Sequence, residues 1–441
     1  MQNIIFFSNA MVFVLMENND MSSLKCCAIL VGGGPAPGIN SVISAATIKL
    51  RNEGVSVMGI FDGFKHLMKR DVSQVKELFT WDVSTIHFTG GSILRTSREN
   101  PTKSPKHLQD VIDSLIKLKV DALITIGGDD TCFAAIKLKE KSEGKMQFIH
   151  VPKTIDNDLN LPYGIRTFGF ASARHLGCNI TKNIITDAMT THRWYLITAM
   201  GRKAGHLAIG IGKSSGATLT IIPEEFPEKT VPIQHIVDIL IGSVIKRIAA
   251  GRPYGVAILA EGLVEKLSQD ELKKMGSIEL DQYGHIRIAE IDFGGILKNE
   301  LKKGLKEFSI STTVVDKDIG YELRSFGPIP FDIEYTRDLG YSSAVYLLQG
   351  KSGDMASIQE GRFVPIPFKD IIDPETGRTE IRMVNVNTQS YEVAMEYMIR
   401  LKKEDFTNEK NLEKLAGTVK ITPEQFIKRF GYIVGLDNFQ K

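Results

Sequence analysis

What this chain lacks narrows its function before any motif is read. Lysine and arginine (54) nearly balance aspartate and glutamate (52), a formal net charge of +2 over 441 residues. That balance gives no case for nucleic acid or a membrane surface as partner. Cysteine is scarce: Cys26, Cys27, Cys132 and Cys178 include no CxxC pair, which argues for reduced core thiols over disulfides or a zinc site. No apolar run reaches the roughly twenty residues of a membrane span. The apolar stretches at 4–7 and 11–16 have no preceding Lys or Arg, and Glu17-Asn-Asn-Asp20 follows them. A signal peptide is therefore not expected; residues 1–21 read as a disordered leader or an upstream start before Met16 or Met21, on a cytoplasmic protein. No internal repeat, low-complexity tract or coiled coil is present. Hydrophobic content of 43% and charged content of 24% are those of a soluble globular chain long enough for two or three domains.

Residues 25–153 alternate between strand and helix signals. Apolar strands are predicted at 26–31, 55–61, 122–126 and 148–151, with helices over 41–50, near 107–119 and from about 131 to 141. Gly54 falls where a helix C-terminus needs a residue free to turn left-handed. A second block predicts helices at 171–190, 203–213 and 233–249 and strands at 194–199, 217–222 and 255–260. The charged stretch 263–278 reads as a solvated helix and loop, and 385–402 and 421–430 as amphipathic terminal helices. Repeated βαβ units imply parallel sheets covered by helices.

The segment Leu123-Ile-Thr-Ile-Gly-Gly-Asp-Asp130 carries the most information. A buried strand ends in two glycines and two adjacent carboxylates, the pattern of a strand whose carboxyl end opens into a crevice. At ~4 Å and an effective dielectric near 20, two such charges repel by roughly 4 kcal/mol, so something must compensate Asp130. The loop Gly32-Gly-Gly-Pro-Ala-Pro-Gly38 joins another strand to a helix and suits close approach of an anion. It is not a Walker A loop, because Ile39-Asn40 replaces Lys-Ser/Thr, and the GxGxxG pattern fails at Pro37. A third strand ends in Pro152-Lys-Thr-Ile-Asp-Asn-Asp158, where carboxylates at i and i+2 can divide proton abstraction and positioning. Met200-Gly201-Arg202 follows strand 194–199, placing a phosphate-gripping guanidinium at a sheet edge. The histidines show no metal-ligand spacing; His192 and His206 are the two that flank this segment.

These three motifs, in this order and at these separations, resemble those of the 6-phosphofructokinases from about residue 25 into the C-terminal region. The resemblance implies Mg²⁺-dependent phosphoryl transfer to the 1-hydroxyl of fructose 6-phosphate. It implies Gly33, Arg98, Asp129, Asp130 and Lys153 at the donor, with Asp129 at the metal. It implies Asp156 as general base, with Lys153, Asp130 and Arg202 also in the catalytic set. Thr154, Asp156, Asp158, Met200, Gly201, Arg202, Glu261, Tyr321 and Arg324 are implied at the sugar phosphate, and Arg193 reaching the 6-phosphate of a neighbouring subunit. Tyr321 stands where bacterial ATP-dependent members carry histidine.

Asp130 departs from the ATP-using members, which have glycine there. A carboxylate would collide with the ribose and repel the α-phosphate of a nucleotide, whereas pyrophosphate has neither group. In the family an aspartate here, together with Lys153, marks pyrophosphate-dependent enzymes. Lys153 also offsets Asp130 and favours phosphate as leaving group. The resemblance then implies a reversible reaction serving glycolysis and gluconeogenesis. The alternatives are an ATP-dependent phosphofructokinase or a silent sugar-phosphate-binding regulatory subunit; lipid and NAD kinases share Gly-Gly-Asp but lack the seven-residue motif.

The expected fold is α/β: two Rossmann-like domains with mainly parallel sheets and an active-site cleft between them. A donor domain is expected over 22–165 plus 325–380, and an acceptor domain over 166–324 plus 381–441. A homodimer or homotetramer is expected, binding fructose 6-phosphate and pyrophosphate, with neither nucleic acid nor membrane as partner.

Overall fold

The computed structural model describes residues 24–162, 164–274, 291–372 and 380–436. The leader expected at 1–21 and the end of the charged stretch, 275–278, lie outside them. Two mainly parallel sheets form the architecture. The first contains β1 (Cys26–Val31), β2 (Ser56–Ile60), β3 (Val75–Glu77), β4 (Ala122–Gly127), β5 (Gln147–Thr154) and the short β6 (Phe168–Gly169). The second contains β7 (Trp194–Ala199), β8 (Leu219–Ile221), β9 (Gly255–Ala260) and β10 (Val314–Ile319). The chain then returns to the first sheet with β11 (Asp354–Met355), forms a small hairpin from β12 (Ile358–Gln359) and β13 (Arg362–Phe363), and adds β14 (Ile366–Pro367).

In the first sheet the order is β14-β11-β5-β4-β1-β2-β3, with β6 beside β5; only the edge pairs β2–β3 and β11–β14 are antiparallel. The second sheet, β10-β7-β9-β8, is parallel throughout. Runs such as Ala-Leu-Ile-Thr-Ile-Gly and Gly-Val-Ala-Ile-Leu-Ala are buried at every position because helices cover both faces. Leu30, Leu123, Val111, Leu115 and Leu138 fill one face of the first sheet, and Ile29, Ile124, Val42, Ile43, Leu339 and Leu347 the other. The second sheet packs Leu196, Leu240, Leu301, Phe426 and Phe430 on one side and Ile197, Leu207 and Ile211 on the other.

Strands β7 and β9 and helix Ile233–Ala249 have the bounds their apolar patterns predict. Other boundaries differ. The helix expected from 131 begins at Asp129, so both carboxylates of the Asp129-Asp130 pair occupy its first turn. The predicted helix 385–402 is Gln389–Tyr397, capped by Thr388, and the last is Pro423–Phe430, capped by Thr422. Strand 217–222 contracts to β8, and the charged stretch opens with a 3-10 turn and helix Gln269–Lys274. Helix Pro330–Leu348 and β10 escape sequence patterning. The helix buries residues around much of its girth against helix Ile39–Asn52, and β10 is an edge strand carrying Asp316, Lys317 and Asp318.

Asp332, in the first turn of helix Pro330–Leu348, is fully buried and stitches the two sheets' helices together. Its carboxylate accepts from Gly169 N (3.1 Å), Ser172 N (2.8 Å) and Ser172 Oγ (2.5 Å), capping helix Phe170–Thr191 from another element. Asp332→Ala leaves three buried donors without an acceptor. Unfolding free energy from urea titration should fall by about 2–4 kcal/mol; a loss below 0.5 kcal/mol would remove Asp332 as a structural cap.

Candidate active site

Strands β1 and β4 are neighbours whose following chains diverge, so a crevice forms at their carboxyl ends. After β1, Gly33 turns left-handed (φ 81°) while its N–H donates to Ser97 O (2.8 Å). A Cβ on Gly33 would sit 3.4 Å from Lys153 Nζ, and one on Gly34 would sit 3.0 Å from Arg324 Nη1. Cations from β5 and from helix Tyr321–Ser325 thus converge on the glycine loop. Lys153 Nζ donates to Gly34 O, and Thr96 Oγ1 donates to Gly33 O (2.6 Å), fixing the neighbouring strand of chain that carries Arg98.

After β4, Asp129 and Asp130 open a 14-residue helix, where the partial positive charge of the amino terminus favours carboxylates. Helix placement is thus a source of compensation for the pair that its sequence spacing did not reveal. Asp129 Oδ1 also accepts from Arg202 Nη1 at 2.8 Å, across the cleft from the second sheet. Arg202 follows β7 in a left-handed conformation (φ 52°), and the same Nη1 lies 4.0 Å from Asp158 Oδ2. Burial works against the charge on Arg202, but Asp129, Asp158 and Asp156 together hold it more firmly protonated than usual.

Strand β5 runs through Lys153 and Thr154 into the loop carrying Asp156 and Asp158. Thr154 Oγ1 accepts from Asp156 N (3.0 Å), and Asp156 Oδ1 is buried without a hydrogen-bond partner among the described residues. Burial, then the neighbouring Asp158, pushes the Asp156 carboxyl well above the carboxylate range. Burial raises Asp158 too, with Arg202 opposing. Burial lowers Lys153 to about 8, opposed by Asp156 and reinforced by Arg324, Arg202 and Arg98. On the second sheet, Glu261 follows β9 and accepts from Gly201 N (3.2 Å); its carboxyl is raised by burial.

These elements enclose a cleft of about 600 Å³. Among the predicted residues, Gly33, Arg98, Asp129, Asp130, Lys153, Thr154, Asp156, Asp158, Met200, Arg202, Glu261, Tyr321 and Arg324 line it. Gly201 stands behind the wall, bonded to Glu261. Arg193 does not enter this chain's cleft: it is exposed at the amino end of β7, whereas the cleft opens at the carboxyl end. Tyr321 is 71% exposed and lies against the Arg324 guanidinium, 4.5 Å from its ring centre.

Two supports went unread in the sequence. His150 is fully buried beneath Gly127-Gly128, its Nε2 3.0 Å from Gly127 O and its Nδ1 2.9 Å from Thr125 Oγ1; burial drives it down to about 3 and keeps it neutral. Arg382 grips the loop between Asp156 and Asp158. Neither carries a ligand spacing, and only the place of His150 inside the apolar run 148–151 hints at burial.

The acids fit one Mg²⁺ shared with a substrate. No group of three or more His, Cys, Asp or Glu gathers as a protein cage among the described residues. Magnesium held by one or two carboxylates plus substrate phosphate oxygens and water needs none. Asp129 offers that carboxylate at the cleft wall, where a guanidinium already demonstrates its affinity for a cation.

A family model described as phosphofructokinase matches residues 26–347. The chain is 49% identical over 413 residues to the pyrophosphate–fructose 6-phosphate 1-phosphotransferase of Thermotoga maritima, covering 92% of this chain and 98% of that relative. It is 47% identical over 415 residues to the enzyme of the same name from Naegleria fowleri, covering 92% and 95%. The fold is shared with a pyrophosphate-dependent phosphofructokinase crystal structure from Marinobacter aquaeolei: TM-score 0.63 at 17% identity, over 86% of this chain and 92% of that one.

The elevated Asp156 carboxyl makes a prediction that needs no turnover. The unfolded chain ionises this group near its ordinary value and the folded chain only at higher pH, so stability falls as pH rises through that interval. The cost is complete above it. Asp156→Asn should therefore raise stability by on the order of 1–3 kcal/mol at pH 8, with the gain vanishing toward pH 4. Thermal melts of both proteins across that range check it; a pH-independent difference would show that Asp156 ionises normally.

Proposed function

The chain belongs to the phosphofructokinase family, and from that premise we infer that it transfers a phosphoryl group from pyrophosphate to the 1-hydroxyl of fructose 6-phosphate. The products are fructose 1,6-bisphosphate and phosphate. The observation that carries the donor assignment is Asp130 on the cleft wall beside Gly128, with Lys153 reaching the facing glycine loop. A nucleotide's α-phosphate and ribose would have to pass that carboxylate; pyrophosphate ends before it.

Asp129 would hold Mg²⁺, and the ion would supply neutralising charge at the donor's oxygens. The chain's own residues do the rest. Gly33 allows the phosphates close to backbone amides, and Arg98 and Lys153 face them with positive charge. Asp156, with one oxygen buried and unpartnered, takes the proton from the sugar's 1-hydroxyl as that oxygen attacks phosphorus. Its raised affinity for protons suits a base working near neutrality. Thr154 holds the base loop, and Asp158 with Arg202 orients the acceptor. Met200, Gly201 and Glu261 shape the sugar site, and Tyr321 and Arg324 meet the 6-phosphate. Arg193, exposed and remote from its own cleft, serves the cleft of a second copy in a homodimer or homotetramer. The donor domain is 22–165 plus 325–380, and the acceptor domain 166–324 plus 381–441.

Purified protein with Mg²⁺ and fructose 6-phosphate should form fructose 1,6-bisphosphate with pyrophosphate and not with ATP. Turnover with ATP alone overturns the donor assignment; turnover with neither favours a silent sugar-phosphate-binding subunit. The pair Asp130→Gly and Lys153→Gly should weaken pyrophosphate use at least tenfold and open measurable ATP binding by calorimetry. A double variant without nucleotide binding would refute the steric account of Asp130.

A further inference from the structure

The base loop is held from a part of the chain that the family model does not reach. Residues 380–386 bridge the base loop and the elements around the second sheet, beyond the matched span 26–347. Ile381 pairs with Leu159 in an isolated antiparallel bridge, and Arg382 N donates to Asp158 O (2.8 Å). The Arg382 side chain then spreads over the loop. Nε and Nη2 donate to Asn157 O (3.2 and 3.0 Å), Nη2 donates to Asn157 Oδ1 (2.6 Å), and Nη1 donates to Ile165 O (2.8 Å).

Asn157 is the residue between the two carboxylates, and it is left-handed (φ 57°). That conformation is uncommon outside glycine and persists where its surroundings impose it. Its side chain turns away from the cleft to meet Arg382 and Thr167 N (3.1 Å), while Asp156 and Asp158 both line the cleft. The same strap reaches the acceptor wall. His206 Nε2 lies 3.0 Å from Arg382 O, and Glu224 Oε1 accepts from both Val384 N and Gly205 N (2.9 Å each). His206 begins the helix that follows Met200-Gly201-Arg202.

We propose that Arg382 is a positioning residue for the reaction. It fixes the left-handed turn at Asn157 and, through the 380–386 strap, sets the distance between Asp156 and the acceptor-binding loop 200–205. This rests on Asp156 acting as base. Displacement of a reacting group by about 1 Å can cost ~10²-fold in rate while leaving binding intact, so the effect belongs in kcat rather than KM.

The test is steady-state kinetics with pyrophosphate, Mg²⁺ and fructose 6-phosphate on Arg382→Met, Arg382→Lys and Asp156→Asn, each with a melting curve. Arg382→Met should lower kcat about 10²-fold with both KM values within about threefold, and Arg382→Lys should recover about tenfold of that loss. A kcat within twofold of wild type, or a loss accounted for by unfolded protein, overturns the proposal. If Arg382→Met does not fold, Asn157→Ala replaces it: a kcat about tenfold down at unchanged KM supports the proposal, and an unchanged kcat overturns it. An active Asp156→Asn overturns the base and the strap's role together. An inactive Asp156→Asn beside an active Arg382→Met overturns the strap alone.

Discussion

One guanidinium holds the two halves of the cleft in register. Asp129, Asp130, Asp156, Asp158 and Glu261 are among nine Asp and Glu residues lining one cavity, and Arg202 is the cation that touches the first sheet's acids from the second sheet. Its pairing with Asp129 joins the helix terminus after β4 to the loop after β7. The arrangement keeps like charges close together before any substrate arrives, a concentration that water would otherwise disperse. Lys153 and Arg324 do the same work on the opposite wall, converging on glycines that leave room for them. Within the cleft, Asp156, Asp158, Lys153 and Arg202 each feel the charges of the others, so their protonation is set jointly.

Burying polar and charged groups in this crevice is costly to the fold. Asp156 is buried with an unsatisfied oxygen, Arg202 and Asn157 hold left-handed backbones, and Lys153 sits 95% buried among other cations. Each costs free energy that the surrounding fold must offset, and they meet in or beside one crevice. The surrounding parallel strands supply the rigidity that tolerates it.

Much of this was legible in the sequence because buried parallel strands are written as contiguous apolar runs, and their polar terminators mark the crevice. β4, β7 and β9 end at Gly127, Ala199 and Ala260, each followed at once by residues that line the cleft. Helix Pro330–Leu348 was not legible, since packing on several sides blurs its pattern, and β10 was hidden by the charges of an edge strand. The helical start at Asp129 was missed because glycine and aspartate read as a loop until the capping geometry is seen. Arg382 left no signal: its partners lie more than two hundred positions away, and three of its four side-chain bonds go to backbone carbonyls, which carry no side-chain identity for a pattern to match.

The first sheet is completed by strands β11 and β14, and one of its faces is roofed by helix Pro330–Leu348, all of which follow the entire second sheet in the chain. Synthesis therefore presents a ribosome-bound chain with an order of events. Strands β1 to β5 emerge early, yet β5 keeps an open edge and Ile39, Val42 and Ile43 keep an uncovered face until about two hundred further residues have left the tunnel. At 5–20 residues per second that interval lasts on the order of ten seconds or more. An unpaired parallel edge over an apolar face is prone to wrong association for as long as it stays open, whereas the second sheet assembles from strands delivered consecutively.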